Sequence, residues 1–102
     1  MIQEPMVKDC TVAEQHPSTQ GHFPGQPLVP GAYLVARTEE LILEDLPGYR
    51  LASLRKVKFL KPLLPGVCAR LSYSVDDDGK ARFSISDDLG KVLEGSGSVI
   101  PR

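Results

Sequence analysis

A histidine framed by turn-forming residues has the clearest chemical potential in this sequence. His22 stands in the stretch Gly21-His22-Phe23-Pro24-Gly25-Gln26-Pro27-Leu28-Val29-Pro30-Gly31. Imidazole titrates near neutrality and both accepts and donates a proton, which suits general acid–base work. A loop histidine is ordinarily a surface residue, and the rigid glycine and proline frame on both sides is what sets this one apart. Gly31 closes the stretch where a helix is predicted to begin. The first N–H groups of a helix have no intrahelical partner and lie at the positive end of its dipole. A carbonyl directed there would have its developing negative charge stabilised by preorganised donors. Glycine also permits a sharp loop-to-helix transition, and the two roles are compatible.

These residues need elements to hold them. Met6 to Ala13 carries Val7, Cys10 and Val12 among polar residues and predicts a first strand. From Glu14 to Pro30 prolines and glycines are too dense for helix or strand, and a loop this long usually has a function. Gly31 to Leu46 then predicts a helix, with Leu34, Val35, Thr38, Leu41 and Ile42 on one face and Pro47-Gly48 as its stop. Four strands follow: Leu51 to Leu60, Val67 to Val75, Ala81 to Ile85, and Val92 to Ile100. Asp78-Gly79 and Asp88-Leu89-Gly90 supply the turns. One helix set against antiparallel strands is α+β. The open sheet edges favour pairing with a second copy.

Composition narrows the function classes. The 102 residues suit one domain, residues 1–102, with 41% hydrophobic and 25% charged residues and a net charge of −1. That balance gives no pull toward nucleic acid or an anionic membrane. No run of 18 apolar residues exists and the N-terminus lacks signal-peptide character, so a cytoplasmic protein is expected. Cys10 and Cys68 have no metal-type spacing and read as small buried residues in a reducing compartment, with a disulfide left open. Asp76-Asp77-Asp78-Gly79 lacks the spaced ligands of a calcium loop, and His16 has no partner for zinc. No metal and no cofactor is expected.

The stretch GHFPGQPLVPG resembles the signature of the 3-hydroxyacyl-acyl-carrier-protein dehydratases and their smaller relatives of polyene-type clusters. Lys58-Phe59-Leu60-Lys61-Pro62-Leu63-Leu64-Pro65-Gly66 resembles the second block of that family, in the family's order. The resemblance implies a hot-dog fold, in which a curled antiparallel sheet of about five strands wraps one central helix, and a homodimer with active sites at the subunit interface. It implies a 3-hydroxyacyl thioester of acyl carrier protein or coenzyme A as substrate. His22 would be the acid–base residue at C2 and Gly31 the anchor of the thioester carbonyl. Phe23, Pro24 and Gly25 would shape the acyl tunnel, with Pro30 and Ala36 also beside the substrate.

One position departs from the family. An Asp or Glu is expected fourteen residues after the histidine, and Ala36 stands there. Losing a positioned acid–base group typically costs about 10²–10⁴-fold in rate. Glu40, one turn on, and Glu39 are the nearest replacements, though a charge late on an amphipathic helix is more often its solvated side. Arg37 reads as a surface residue. Two alternatives follow: a catalytically impaired subunit that binds acyl chains or carrier protein, or a hot-dog acyl thioesterase using Glu39 or Glu40. Arg55, Lys56, Lys58 and Lys61 form a basic cluster, read either as a docking surface for an acidic carrier protein or as the solvated face of a strand with Val57 and Phe59 inward.

Overall fold

The computed structural model describes residues 1–13 and 28–102. His16, His22, Phe23, Pro24 and Gly25 lie outside the described residues. The elements run β1 Ile2–Asp9, α1 Gly31–Glu44, β2 Tyr49–Phe59, β3 Ala69–Val75, β4 Lys80–Asp87 and β5 Gly90–Pro101. They form one antiparallel sheet in the order β1-β3-β4-β5-β2, with α1 against one face.

The alternation expected of β3 and β4 holds. Ala69, Leu71, Tyr73 and Val75 on β3 face inward with Ala81, Phe83 and Ile85 on β4, and all are buried. Leu34, Thr38, Leu41 and Ile42 form the buried stripe of α1 that meets them, while Val35 is half-buried at its margin. Burying each large aliphatic side chain contributes about 1.5–3 kcal/mol. Thr38 is the polar member of the stripe, and its hydroxyl donates to the Leu34 carbonyl at 2.8 Å. Lys8 ties β1 to the end of the helix, donating to the Leu41 carbonyl at 2.7 Å and pairing with Glu44 and Asp45. A cation there complements the negative end of the dipole. The Tyr73 hydroxyl donates to Asp45, fixing the same corner from β3.

The turn chemistry also holds. Gly79 N–H donates to the Asp76 carbonyl at 3.0 Å, and Gly79 has φ +83°. Asp76 Oδ1 accepts from the N–H groups of Asp78 and Lys80, both at 2.9 Å. This is a three-residue hairpin loop with glycine in the left-handed position.

Four expectations are corrected. The first strand is Ile2–Asp9, not Met6–Ala13, because it pairs on β3 from Ile2 opposite Val75. It is mostly exposed and carries Pro5, which an edge strand tolerates, so no alternation marked it. Cys10 and Val12 are buried beyond its end, where Cys10 N–H donates to the Ala69 carbonyl. Cys68 is exposed, and both cysteines are free. The helix closes at Glu44, because Asp45 and Leu46 donate to carbonyls three residues back and tighten the last turn. Strict alternation on β2 fails, because the pairing with β5 shifts between Leu51 and Ser53 and again between Arg55 and Lys58. Lys56 lies in the second shift with φ +53°, a left-handed conformation unusual for a lysine.

Gly79→Ala tests the turn. A Cβ there would lie 2.6 Å from the Val99 carbonyl oxygen, at a φ that disfavours any side chain. Chemical denaturation should show a loss of at least about 1 kcal/mol, with the slope unchanged.

Candidate active site at the helix start

Gly31 and the second block lie far apart in sequence and meet in space. Val29 N–H donates to the Leu63 carbonyl at 3.0 Å, tying the segment before the helix to the second block. Leu60 and Lys61 N–H groups both reach the Val92 carbonyl, at 2.8 and 3.3 Å, tying that block to β5. Between them is a cavity of about 460 Å³. Gly31 and Lys61 border it, together with the apolar walls of Leu34, Phe59, Leu63 and Val92.

The helix start faces this space without a side-chain cap among the described residues. Pro30, half-buried, is the N-cap at φ −61° and ψ 138°, and no acidic residue occupies the first turn. Proline and the absence of a competing carboxylate leave the positive end of the dipole for another acceptor. The Phe59 ring lies directly against Gly31. A Cβ on Gly31 would sit 2.8 Å from Cε1 and 3.0 Å from Cζ of that ring. Glycine lets the ring lie this close, and a side chain here would push it aside. Phe59 was expected inward; it is 57% exposed and packs one side on Gly31, because the shift in β2 re-aims the strand's end.

Lys61 was grouped with the strand cations, and the structure separates it. Its ammonium pairs with Asp87, whose side chain is 6% exposed. The Lys61 hydrogen bond, and then the Leu89 N–H at 2.8 Å on Oδ1, hold the Asp87 carboxyl below its ordinary pKa.

Ala36 is exposed and does not border the cavity. Five residues beyond Gly31 it is rotated by about 140° around the helix axis. Glu40 is exposed one turn further, its carboxylate paired with Arg37 at 3.1 Å. Glu39 is half-buried. Within one chain, then, the geometry brings Gly31, Pro30, Phe59 and Lys61 together and leaves position 36 apart. Phe59, Leu63 and Val92 were not singled out as cavity walls. The second block was their visible signal, but their convergence on Gly31 depends on the Val29–Leu63 tether.

Residues 2–96 match the model of the ApeI-like family, described as ApeI dehydratase. The chain belongs to this family. It is 36% identical over 78 residues to a 3-hydroxyacyl-acyl-carrier-protein dehydratase FabZ of Koribacter versatilis, an alignment covering 68% of this chain and 49% of that one. The chain thus spans about half the length of that curated relative. Among solved structures, the dehydratase heterocomplex ApeI:P from Xenorhabdus doucetiae superposes with a TM-score of 0.82 at 26% identity, over 98% of this chain and 89% of that one. A hot-dog-like protein from Thermanaerovibrio acidaminovorans gives 0.70 at 17% identity, over 98% of this chain and 83% of that one. The fold of this ApeI-like chain is the hot dog.

Two variants test the site's supports. Asp87 has a folded-state pKa below its unfolded value, so its contribution to stability is full above the unfolded pKa and is lost as pH falls through the folded one. Lys61→Met removes the main cause of that depression. The midpoint of acid unfolding, followed by circular dichroism, should therefore move to higher pH. Gly31→Ala should displace the Phe59 ring and constrict the cavity while the far-ultraviolet spectrum stays native, a change readable in the Phe59 ring resonances.

Proposed function

We propose that this ApeI-like chain dehydrates a 3-hydroxyacyl thioester, carried on acyl carrier protein or coenzyme A, to the trans-2-enoyl thioester. The observation that carries this reading is the uncapped start of α1, at Gly31, opening into a largely apolar cavity beneath Phe59. It supports binding of the thioester carbonyl at the N–H groups of the first helical turn. His22 takes the C2 proton, and the electron pair moves toward the carbonyl oxygen, whose developing charge those donors stabilise. The pair then returns to form the C2–C3 double bond as the C3 hydroxyl departs. The proton held by His22 joins that hydroxyl, so water leaves and the imidazole is neutral again. Phe23, Pro24 and Gly25 line the acyl path. The reaction calls on no cofactor or metal, because the thioester itself acidifies C2.

A second hot-dog subunit completes this site. Position 36 faces away from the cavity of its own chain, so it can stand beside the substrate only at a cavity belonging to a neighbour. The exposed apolar side chains of Leu54, Phe59, Leu60 and Leu64 on and beyond edge strand β2 suit burial against such a subunit, a homodimer being the simplest arrangement. Family membership and the likeness to a dehydratase heterocomplex support the same reading. With Ala36 at that place, His22 performs both proton transfers. The alternative of a binding subunit without turnover separates from this one by assay.

Hydration of a short trans-2-enoyl thioester is the direct test, followed by loss of enoyl absorbance alongside a thiol assay. Enoyl loss without thiol release is expected, and it should vanish in His22→Ala. Thiol release in step with enoyl loss would indicate a thioesterase instead. No turnover with carrier-linked substrates of several chain lengths would leave a binding subunit. Ala36→Glu should raise the rate by about tenfold or more, toward the 10²–10⁴-fold that a positioned acid–base group contributes.

A further inference from the structure

The outer face of the sheet carries a charge arrangement that the acyl cavity does not use. Of the 12 lysines and arginines, Lys8, Arg37, Lys61, Arg70 and Lys91 each lie within ion-pair distance of a carboxylate. Arg102 donates to the Tyr49 carbonyl. Among the described residues no carboxylate is paired with Arg55, Lys56, Lys58, Lys80 or Arg82. These five border two depressions of about 580 and 280 Å³, which share Lys56, Lys80 and Ser96. Arg50, likewise unpaired, borders neither.

The strand register explains the clustering. Arg82 on β4 lies between Ser74 of β3 and Ser96 of β5, and Ser96 faces Arg55 of β2. In the next row Ser72, Ser84, Glu94 and Lys58 follow one another across the sheet. Two carboxylates border this field: Glu94, held by Lys91 at 3.0 Å, and Asp78 at the rim of the smaller depression. A chain of net charge −1 therefore gathers five unpaired positive charges on one face. The shift in β2 adds to this, since Lys56 in its left-handed conformation borders both depressions.

The chemistry between the cations defines the ligand. Short serine side chains lie near backbone level among these cations, and the Ser96 hydroxyl donates to the Arg55 carbonyl at 3.3 Å. Tetrahedral phosphate oxygens accept from both kinds of donor at once. Single-stranded nucleic acids ordinarily stack their bases on exposed aromatic side chains. Tyr73 and Phe83, the aromatic residues bordering the larger depression, are 1% and 5% exposed and cannot serve. We propose that the outer face of the sheet binds a small ligand bearing adjacent phosphates, of the diphosphate class, held by Arg82, Lys80 and Lys56 over Ser74. This site shares no lining residue with the Gly31 cavity and stands independently of the acyl reading.

Calorimetric titration of the full chain with inorganic pyrophosphate, ADP and orthophosphate tests it, at matched near-physiological ionic strength. Pyrophosphate should bind saturably, with orthophosphate about tenfold weaker. Equal affinity for ADP would identify the diphosphate as the recognised group, and tighter binding a nucleotide. Arg82→Ser and Lys80→Ser should each weaken binding by about tenfold, and Arg50→Ser should leave it unchanged. Lys56→Gly gives a second readout. It should weaken binding while raising Tm, because glycine adopts the backbone conformation without strain. The proposal is overturned if pyrophosphate gives no saturable binding, or if Arg50→Ser weakens it as much as Arg82→Ser. Displacement of pyrophosphate by a single-stranded oligonucleotide or an acidic carrier protein at lower concentration would also overturn it.

Discussion

The contact between the Phe59 ring and Gly31 is the constraint on which the helix-start end of this molecule depends. It joins the first residue of the helix to the last residue of β2, and the absence of a Cβ at Gly31 lets the ring lie this close. The Val29–Leu63 hydrogen bond holds the same junction from the other side. Helix start, second block and β5 are thereby locked around one cavity. An N-terminus in water would have its donors satisfied by solvent. Set against apolar walls, the same donors keep their electrostatic strength for a bound acceptor.

That junction rests on an ordinary core. Leu34, Leu41 and Ile42 share one buried core with the inner residues of β3, β4 and β5, and Thr38 is buried beside them on the same stripe. Lys8 and Tyr73 secure the far end of the helix through Asp45. The two ends have different tasks. At the C-terminal end the charges of the dipole are matched by side chains; at the N-terminal end among the described residues they are left unmatched. This asymmetry is what a binding site at the helix start requires.

Strand β2 carries the main irregularity, with consequences on both faces. Its shift between Arg55 and Lys58 turns Phe59 onto Gly31 and at the same time presents Lys56 on the outer surface. Strict alternation continued from Arg55, which borders the outer depression, would have sent Lys56 inward and Phe59 outward. The cations of the second block are sorted by the same geometry. Lys58 joins the outer field, and Lys61 turns to Asp87 beside the cavity.

Much of this was legible in the sequence by itself. The α1 stripe, the β3–β4 alternation and the turn at Gly79 are local patterns with fixed periods, so composition and spacing sufficed. The two motif blocks pointed to a site at the helix start, and Ala36 was visible as a departure from the family's pattern. Strand β1 was displaced because an edge strand exposed on most of its length has no alternation to read. Cys68 was misjudged because burial is a property of packing, not of residue type. Tertiary structure alone decided that the Phe59 ring rests on Gly31, that Lys61 and Lys58 part company, and that position 36 lies away from the cavity of its own chain. Each of these depends on which surfaces meet across long separations in sequence. Local spacing carries no information about that until the sheet has closed over the helix.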